Sequence, residues 1–211
     1  MKDIQKFCCV ADPRSALRQL IRLGEYIYAT NGHIAIRIPD DKSLEASDGE
    51  ETAKYARHID NFITKGRQLH FAPFAPDLPS AEPCLVCSGV GMVCVCSECD
   101  GDGEFDYGTH LYECKECDGS GAVQGVHPDT HCWNCDGLGE APAVSLDYLN
   151  GVMAVRYARL IASLPGVEFA WSPELNDEEL PRMGHFRFEG GEGALMPMRR
   201  RSIVDVAREA A

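Results

Sequence analysis

Between Cys84 and Gly139 the chain repeats one eight-residue pattern four times: Cys84-Leu85-Val86-Cys87-Ser88-Gly89-Val90-Gly91, Cys96-Ser97-Glu98-Cys99-Asp100-Gly101-Asp102-Gly103, Cys114-Lys115-Glu116-Cys117-Asp118-Gly119-Ser120-Gly121 and Cys132-Trp133-Asn134-Cys135-Asp136-Gly137-Leu138-Gly139. Each copy reads CxxCxGxG. Two thiolates three positions apart reach one metal ion from a tight turn, and the glycines that follow permit the positive φ and close backbone approach such a knuckle needs. Four knuckles supply the thiolates of two tetrahedral sites. Soft thiolates select zinc or an iron–sulfur cluster, and paired knuckles with no open position favour structural Zn²⁺. The expected cofactor is therefore two Zn²⁺ per chain.

Composition explains why metal is needed. Residues 84–139 hold nine of the 11 cysteines and half of the 20 glycines, yet Leu, Ile, Val and Phe total only ten of 56 residues. That is too little apolar surface for an ordinary core. The Pro-rich stretches Ala72-Pro73-Phe74-Ala75-Pro76-Asp77-Leu78-Pro79-Ser80 and Ala141-Pro142-Ala143 read as linkers on either side. They divide the chain into a body at 1–80, an insertion at 81–141, a second part of the body at 142–200 and a tail at 201–211.

Across all 211 residues, 45% are hydrophobic, enough for a buried core outside the insertion. The 20 Lys and Arg stand against 33 Asp and Glu, a net charge of −13, which weighs against general affinity for nucleic acid or an anionic membrane. No apolar run reaches the roughly 18 residues of a membrane helix, and Met1 to Lys6 lacks a secretory apolar stretch. The expectation is a cytoplasmic protein with no membrane partner, whose cysteines serve as metal ligands or reactive thiols instead of disulfides.

The four knuckles resemble the DnaJ-type zinc-finger domain over about 56 residues. That resemblance implies that the first knuckle pairs with the fourth and the second with the third. One zinc would be held by Cys84, Cys87, Cys132 and Cys135, the other by Cys96, Cys99, Cys114 and Cys117. The first connection is shorter than in the family, and Cys94, two residues before Cys96, is a spare thiol able to replace it. His110, His127 and His131 are expected to be solvated or capping residues, because the cysteines already fill both sites. Ten acidic residues against Lys115 alone give this segment −9, and two zinc–tetrathiolate centres add about −4 more. Phosphate is repelled, so a protein partner is favoured, and the family resemblance implies work on unfolded or client polypeptides. Disulfide exchange at Cys-x-x-Cys ranks behind scaffold and docking roles, because thiolates in closed zinc sites are usually inert.

In the body, Asp12 followed by Pro13, with Leu17, Leu20 and Ile21 at helical spacing, predicts an amphipathic helix from Asp12 to Leu23. Tyr26 to Thr30, Asn31-Gly32 and His33 to Ile38 read as a β-hairpin, with Ile34, Ile36 and Ile38 on one face. Ser145 is read as the cap of a helix carrying Leu149, Val152, Met153, Leu160 and Ile161 and ending near Pro165. Val167 to Trp171 reads as a strand. Gly184 to Phe188 and Ala194 to Arg199 read as strands around Gly190-Gly191. Helix-then-strands twice predicts an α+β domain of two similar halves interrupted by the zinc module. Cys8 and Cys9 are expected in a first strand as buried thiols.

Ala29-Thr30-Asn31-Gly32-His33, Ser145-Leu146-Asp147-Tyr148-Leu149 and Gly193-Ala194-Leu195-Met196-Pro197-Met198-Arg199 resemble short motifs of the bacterial DNA polymerase sliding clamp, with Asn31 where the family usually has Asp. About one clamp domain's length is present, so a ring would need several copies. The resemblance implies a groove for a short apolar peptide at Thr30, Gly32, His33, Met196, Pro197 and Met198, methionine suiting adaptable apolar contacts. It also implies a helical face towards DNA, for which Arg14, Arg18 and Arg22, together with Arg156 and Arg159, are the candidates. Arg199-Arg200-Arg201 begins a helical-looking tail, Ser202 to Glu209, placed to cover the groove.

No phosphate loop, open metal site or nucleophile–base set is present, and Asp48-Gly49-Glu50-Glu51 reads as a solvated loop. The expected function is a non-enzymatic interaction adaptor linked to replication or repair machinery, a combination that would suit a bacteriophage or prophage protein. A chaperone-like factor and an oligomeric DNA-tethering clamp are the alternatives.

Overall fold

The computed structural model describes residues 4–9, 12, 14–125, 128, 130–141, 144–176 and 181–198. Pro13, His127, Arg199 to Arg201 and the tail Ser202 to Glu209 lie outside the described residues. In chain order the first elements are helix α1 (Ser15–Arg18), strands β1 (Ile21–Leu23), β2 (Tyr26–Thr30) and β3 (Ile34–Pro39), helix α2 (Glu50–Lys65) and β4 (Ala72–Pro73). Five short strands follow: β5 (Met92–Val95), β6 (Glu104–Tyr107), β7 (His110–Glu113), β8 (Ala122–Val123) and β9 (Thr130–His131). The chain then forms β10 (Ser145–Tyr148), β11 (Gly151–Ala154), helix α3 (Val155–Ala162), β12 (Glu168–Trp171), β13 (Gly184–Phe188) and β14 (Gly191–Leu195). The class is α+β.

These residues form two compact units, one drawn from Met1–Cys8, Gln19–Pro79 and Ala143–Ala211 and the other from Cys9–Arg18 and Ser80–Pro142. The first unit is built on a seven-stranded sheet in the order β1-β2-β3-β14-β13-β12-β4, antiparallel at every step. Strand period two sorts its side chains. Ile27, Ala29, Ile34, Ile36, Ile38, Phe169, Phe186 and Leu195 pack with Tyr157, Ala158 and Ile161 of α3. Tyr28, Arg37 and His185 fall at the alternate positions, where α2 lies. Asp60 of α2 accepts a hydrogen bond from the Tyr28 hydroxyl at 2.6 Å, and Gly66, just past α2, abuts the His185 ring.

Four sequence expectations change. The helix of residues 12–23 is a single turn, Ser15–Arg18, and Asp12 accepts the Arg14 N–H at 2.8 Å just before it. From Ile21 the chain is strand, because Gly24 at φ 62° turns β1 back onto β2. The segment after Ser145 is a hairpin, β10–β11, and only from Val155 does it become α3. Cys8 and Cys9 are buried, but they follow a 3₁₀ turn, Ile4–Phe7, and lie in no strand. Glu50 and Glu51 are exposed, yet they open the 16-residue α2 instead of lying in a loop. Helix-then-strands therefore holds only for the second half; in the first, the main helix follows its strands.

No described helix is long and apolar enough to cross a membrane. Burial pushes His185 down to about 4 from its ordinary 6.5, with its Nδ1 unpartnered. Between these values the unfolded chain binds a proton that the folded chain does not, so stability contributed above pH 6.5 is lost as the pH falls towards 4. We expect about 1.4 kcal/mol per pH unit through that window. The loss is read as Trp171 unfolding in a Trp133→Phe background, and His185→Leu should flatten the slope.

Candidate metal centres

Each CxxCxGxG copy closes on itself in the same way. The first glycine donates its N–H to the carbonyl of the first cysteine, at 3.0–3.2 Å in Gly89, Gly101, Gly119 and Gly137. The second glycine donates to the Sγ of the second cysteine: Gly91 to Cys87, Gly103 to Cys99 and Gly139 to Cys135 at 3.2 Å, and Gly121 to Cys117 at 3.3 Å. These bonds need left-handed backbone, not only at the glycines but at Ser88, Asp100, Asp118 and Asp136, whose φ lies between 46° and 55°. Aspartate is among the few non-glycine residues that tolerate this conformation, which explains its recurrence at that position.

The knuckles then pair through backbone bonds. Cys84 N–H donates to the Gly139 carbonyl at 2.8 Å and Cys132 N–H to that of Gly91 at 2.9 Å, joining first to fourth. Cys96 N–H donates to Gly121 at 2.9 Å and Cys114 N–H to Gly103 at 2.8 Å, joining second to third. A Cβ on Gly121 would stand 2.1 Å from the Gly101 carbonyl oxygen, so the approach excludes any side chain there. The result is two buried sets, Cys84, Cys87, Cys132 and Cys135, and Cys96, Cys99, Cys114 and Cys117, each with its four sulfurs within 4.8 Å of one another.

The donor set fits a tetrahedral metal. A metal–sulfur bond of about 2.3 Å requires sulfur–sulfur edges of about 3.8 Å. The Sγ separations are 3.9 Å for Cys84 and Cys132, 3.7 Å for Cys87 and Cys135, 3.9 Å for Cys96 and Cys114, and 3.8 Å for Cys99 and Cys117. Burial pushes the Cys84 thiol up, but the Asn134 amide, donating to its Sγ at 3.2 Å, and neighbouring N–H groups outweigh this and leave it at about 7. Burial raises Cys132 and Cys135. Four sulfurs at this spacing become thiolates together only around a cation, because unpaired buried charge is too costly.

Cys94 lies in β5 outside both sets, half-buried, with its Sγ against Gly125. His110 and His131 are likewise in neither set and exposed, and His127 lies outside the described residues. Sequence reasoning missed Asn134, the side-chain donor to a ligand sulfur; its place inside the fourth knuckle was the available signal.

Pairing of β3 with β14 brings the turn at Thr30, Gly32 and His33 beside Met196. Met196 N–H donates to the His33 carbonyl at 2.8 Å, continuing the β3–β14 pairing, and Met198 N–H donates to Val152 at 2.8 Å. Gly32 and His33 are exposed, Met196 is 51% exposed, and Pro197 and Met198 are half-buried. Thr30 is buried: its Oγ1 donates to the Ile34 carbonyl at 2.8 Å and accepts the Gly32 N–H at 3.0 Å, so it shapes the turn. Asn31 is buried in this turn: its Oδ1 accepts the N–H groups of His33 and Ile34, and its amide donates to the Tyr157 hydroxyl at 3.0 Å.

The arginines do not form the expected stripe. Arg14 and Arg18 are exposed at α1, but Arg14 pairs with Asp12 at 2.8 Å. Arg22 is in β1, held by Asp40 at 2.7 Å and by the Leu44 carbonyl at 2.8 Å. On α3, Arg156 stacks over Tyr157 at 4.8 Å and Arg159 donates to the Pro79 carbonyl. What the fold and the cysteines define is an α+β protein carrying two four-cysteine, zinc-finger-like metal sites. Comparison with protein-family models, characterised proteins and solved structures finds no match to the chain.

Proposed function

We propose that this chain is a non-enzymatic zinc adaptor: two Zn²⁺ hold an acidic module whose role is protein contact, and the body binds a short apolar peptide. The observation that carries the reading is the closure of both sites. All eight sulfurs are committed and buried, which leaves no coordination position for substrate or water and separates these sites from catalytic zinc. The DnaJ-type resemblance supports protein contact, and the clamp-like motifs support a link to replication or repair machinery in the cytoplasm. The adjacency of His33 and Met196, joined by a main-chain hydrogen bond at 2.8 Å, supports a peptide site there.

The test is titration of a short apolar clamp-type peptide. Met196→Ala, exposed and outside the core, should weaken binding about tenfold or more, as expected for a contact residue. Met198→Ala should do the same with some loss of stability, because Met198 packs on the core. No binding, or binding unmoved by Met196→Ala, would contradict the peptide groove. A chaperone-like role is favoured by one observation: Leu85, Val90, Tyr107 and Leu111 of the zinc module are 62–90% exposed. Suppression of client aggregation, unchanged by Met196→Ala, is its signature. DNA tethering draws little support from arginines already engaged with Asp12, Asp40 and Pro79.

A further inference from the structure

The second and third knuckles are joined by a hairpin that the metal sites do not explain. Strands β6 and β7 pair in the register Glu104↔Glu113, Phe105↔Tyr112, Asp106↔Leu111 and Tyr107↔His110, around the two-residue turn Gly108-Thr109. Every residue of both strands is exposed. Opposed residues share a face, so the hairpin has two chemically distinct sides. One carries Phe105, Tyr107, His110 and Tyr112, with Phe105 42%, Tyr112 53% and Tyr107 78% exposed. The other carries Glu104, Asp106 and Glu113 around Leu111.

A structural connector between two metal knuckles needs neither four rings in water nor three carboxylates behind them. Aromatic side chains held clear of any core mark a contact surface. Among the described residues no third strand pairs with β6 or β7, so each has a free edge of N–H and C=O groups. An added strand would place its alternate side chains over the two faces in turn. Charge selects what that strand carries. The surrounding segment has ten acidic residues and one basic one, so a second copy, a nucleic acid or an anionic membrane would meet like charge. A strand with basic side chains on one side and apolar ones on the other satisfies both faces.

We infer that the β6–β7 hairpin is a strand-addition site for an extended segment of a partner protein in which basic and apolar residues alternate. Strands of four residues span about 14 Å, which sets the recognised segment at four or five residues. The site rests on the adaptor reading of the zinc module. Because Met196→Ala tests the separate groove on the body, either can fail alone.

The test uses the full metal-loaded chain and a labelled heptapeptide of alternating lysine and leucine or valine, read by fluorescence anisotropy at low salt. Three peptides control it: one with the lysines moved to one end, one with glutamate for lysine, and one N-methylated at alternate amides. Two triple variants accompany it, Phe105→Ser with Tyr107→Ser and Tyr112→Ser, and Glu104→Gln with Asp106→Asn and Glu113→Gln; retention of two metals per chain shows that each still folds. The site predicts binding of the alternating peptide, with a loss of about tenfold or more for each control peptide and each variant. Absence of binding overturns it, as does equal binding of the N-methylated peptide or binding unmoved by the aromatic variant. Tighter binding of oligothymidine, or a dimer that the aromatic variant dissolves, overturns it in favour of those occupants.

Discussion

Chelation of the metal is expected to unfold residues 84–139 while the seven-stranded sheet stays intact. The buried cluster around the first site is four cysteines with Val93 and Ala122, and around the second it is four cysteines alone. With so little apolar burial, metal binding is the folding free energy of the module, about 10 kcal/mol or more per site by comparison with structural zinc in small fingers. Hydrogen exchange reads this directly: amides of β5, β8 and β9 should lose protection on treatment with a strong chelator, and those of β2, β3, β13 and β14 should keep it. Cys96→Ser should release one ion and loosen the second-to-third pairing first. Protection in the module that survives complete metal removal would overturn this view of its stability.

The second large effect is expected at Arg37, in the middle of the sheet and 2% exposed. Its guanidinium donates to Glu192 at 2.6 and 3.1 Å and to Asp60 of α2, while Arg67 adds a second cation to Glu192 at 2.9 Å and Tyr28 donates to Asp60. Burial pushes the Glu192 carboxyl up, but Arg67 and Arg37 outweigh it and hold it below the ordinary carboxylate range. Arg37→Met removes the centre of this network and leaves Glu192 with Arg67 alone. A buried pair broken from one side costs about 3–5 kcal/mol, and the partial exposure of Asp60 and Glu192 places this one at about 3 kcal/mol. The shift is measured as the urea midpoint of the Trp171 transition. Adding Glu192→Gln should cost much less than the sum of the two changes, because the charge left behind is then removed. A midpoint unmoved by Arg37→Met would show that the network contributes nothing.

The zinc module was largely legible because its physics is local. Knuckle spacing marks the eight ligand sulfurs without any long-range packing, whereas which knuckles share a metal is implied by the DnaJ-type resemblance and not by the spacing. The fold of the body was only partly so. Asn31-Gly32 announced the β2–β3 hairpin and Gly190-Gly191 that of β13–β14, but each turn sits one residue away: Asn31 N–H donates to Ile34, which leaves Gly32 and His33 at the tip, and Phe188 pairs with Gly191, which leaves Glu189 and Gly190. Asn150-Gly151 lies at the β10–β11 hairpin, whose tip is Leu149 and Asn150 because Tyr148 pairs with Gly151, but Val152, Met153, Ile161 and their neighbours also fit a helical period, and that ambiguity favoured the wrong element. Helix α2 carried its own signs: Ala53, Ala56, Ile59 and Ile63 at helical spacing, acids at its start and Lys65 at its end. Only its first two residues enter the sequence reading, as part of the acidic run Asp48-Gly49-Glu50-Glu51 that reads as a solvated loop, and the rest of the helix goes unread. Strand β1 was hidden for the opposite reason, since Leu20 and Ile21 extend a helical stripe and only pairing with β2 decides against it. Approach of the His33 turn to Met196 is set by the β3–β14 pairing, between residues far apart in the chain, which no local pattern encodes.

X-ray absorption at the zinc edge, with metal counted per chain by native mass spectrometry, should find two zinc ions per chain, each with four sulfur neighbours at about 2.3 Å and no nitrogen or oxygen neighbour. A single ion, a mixed sulfur and nitrogen shell, or an iron–sulfur signature would contradict two closed four-cysteine zinc sites.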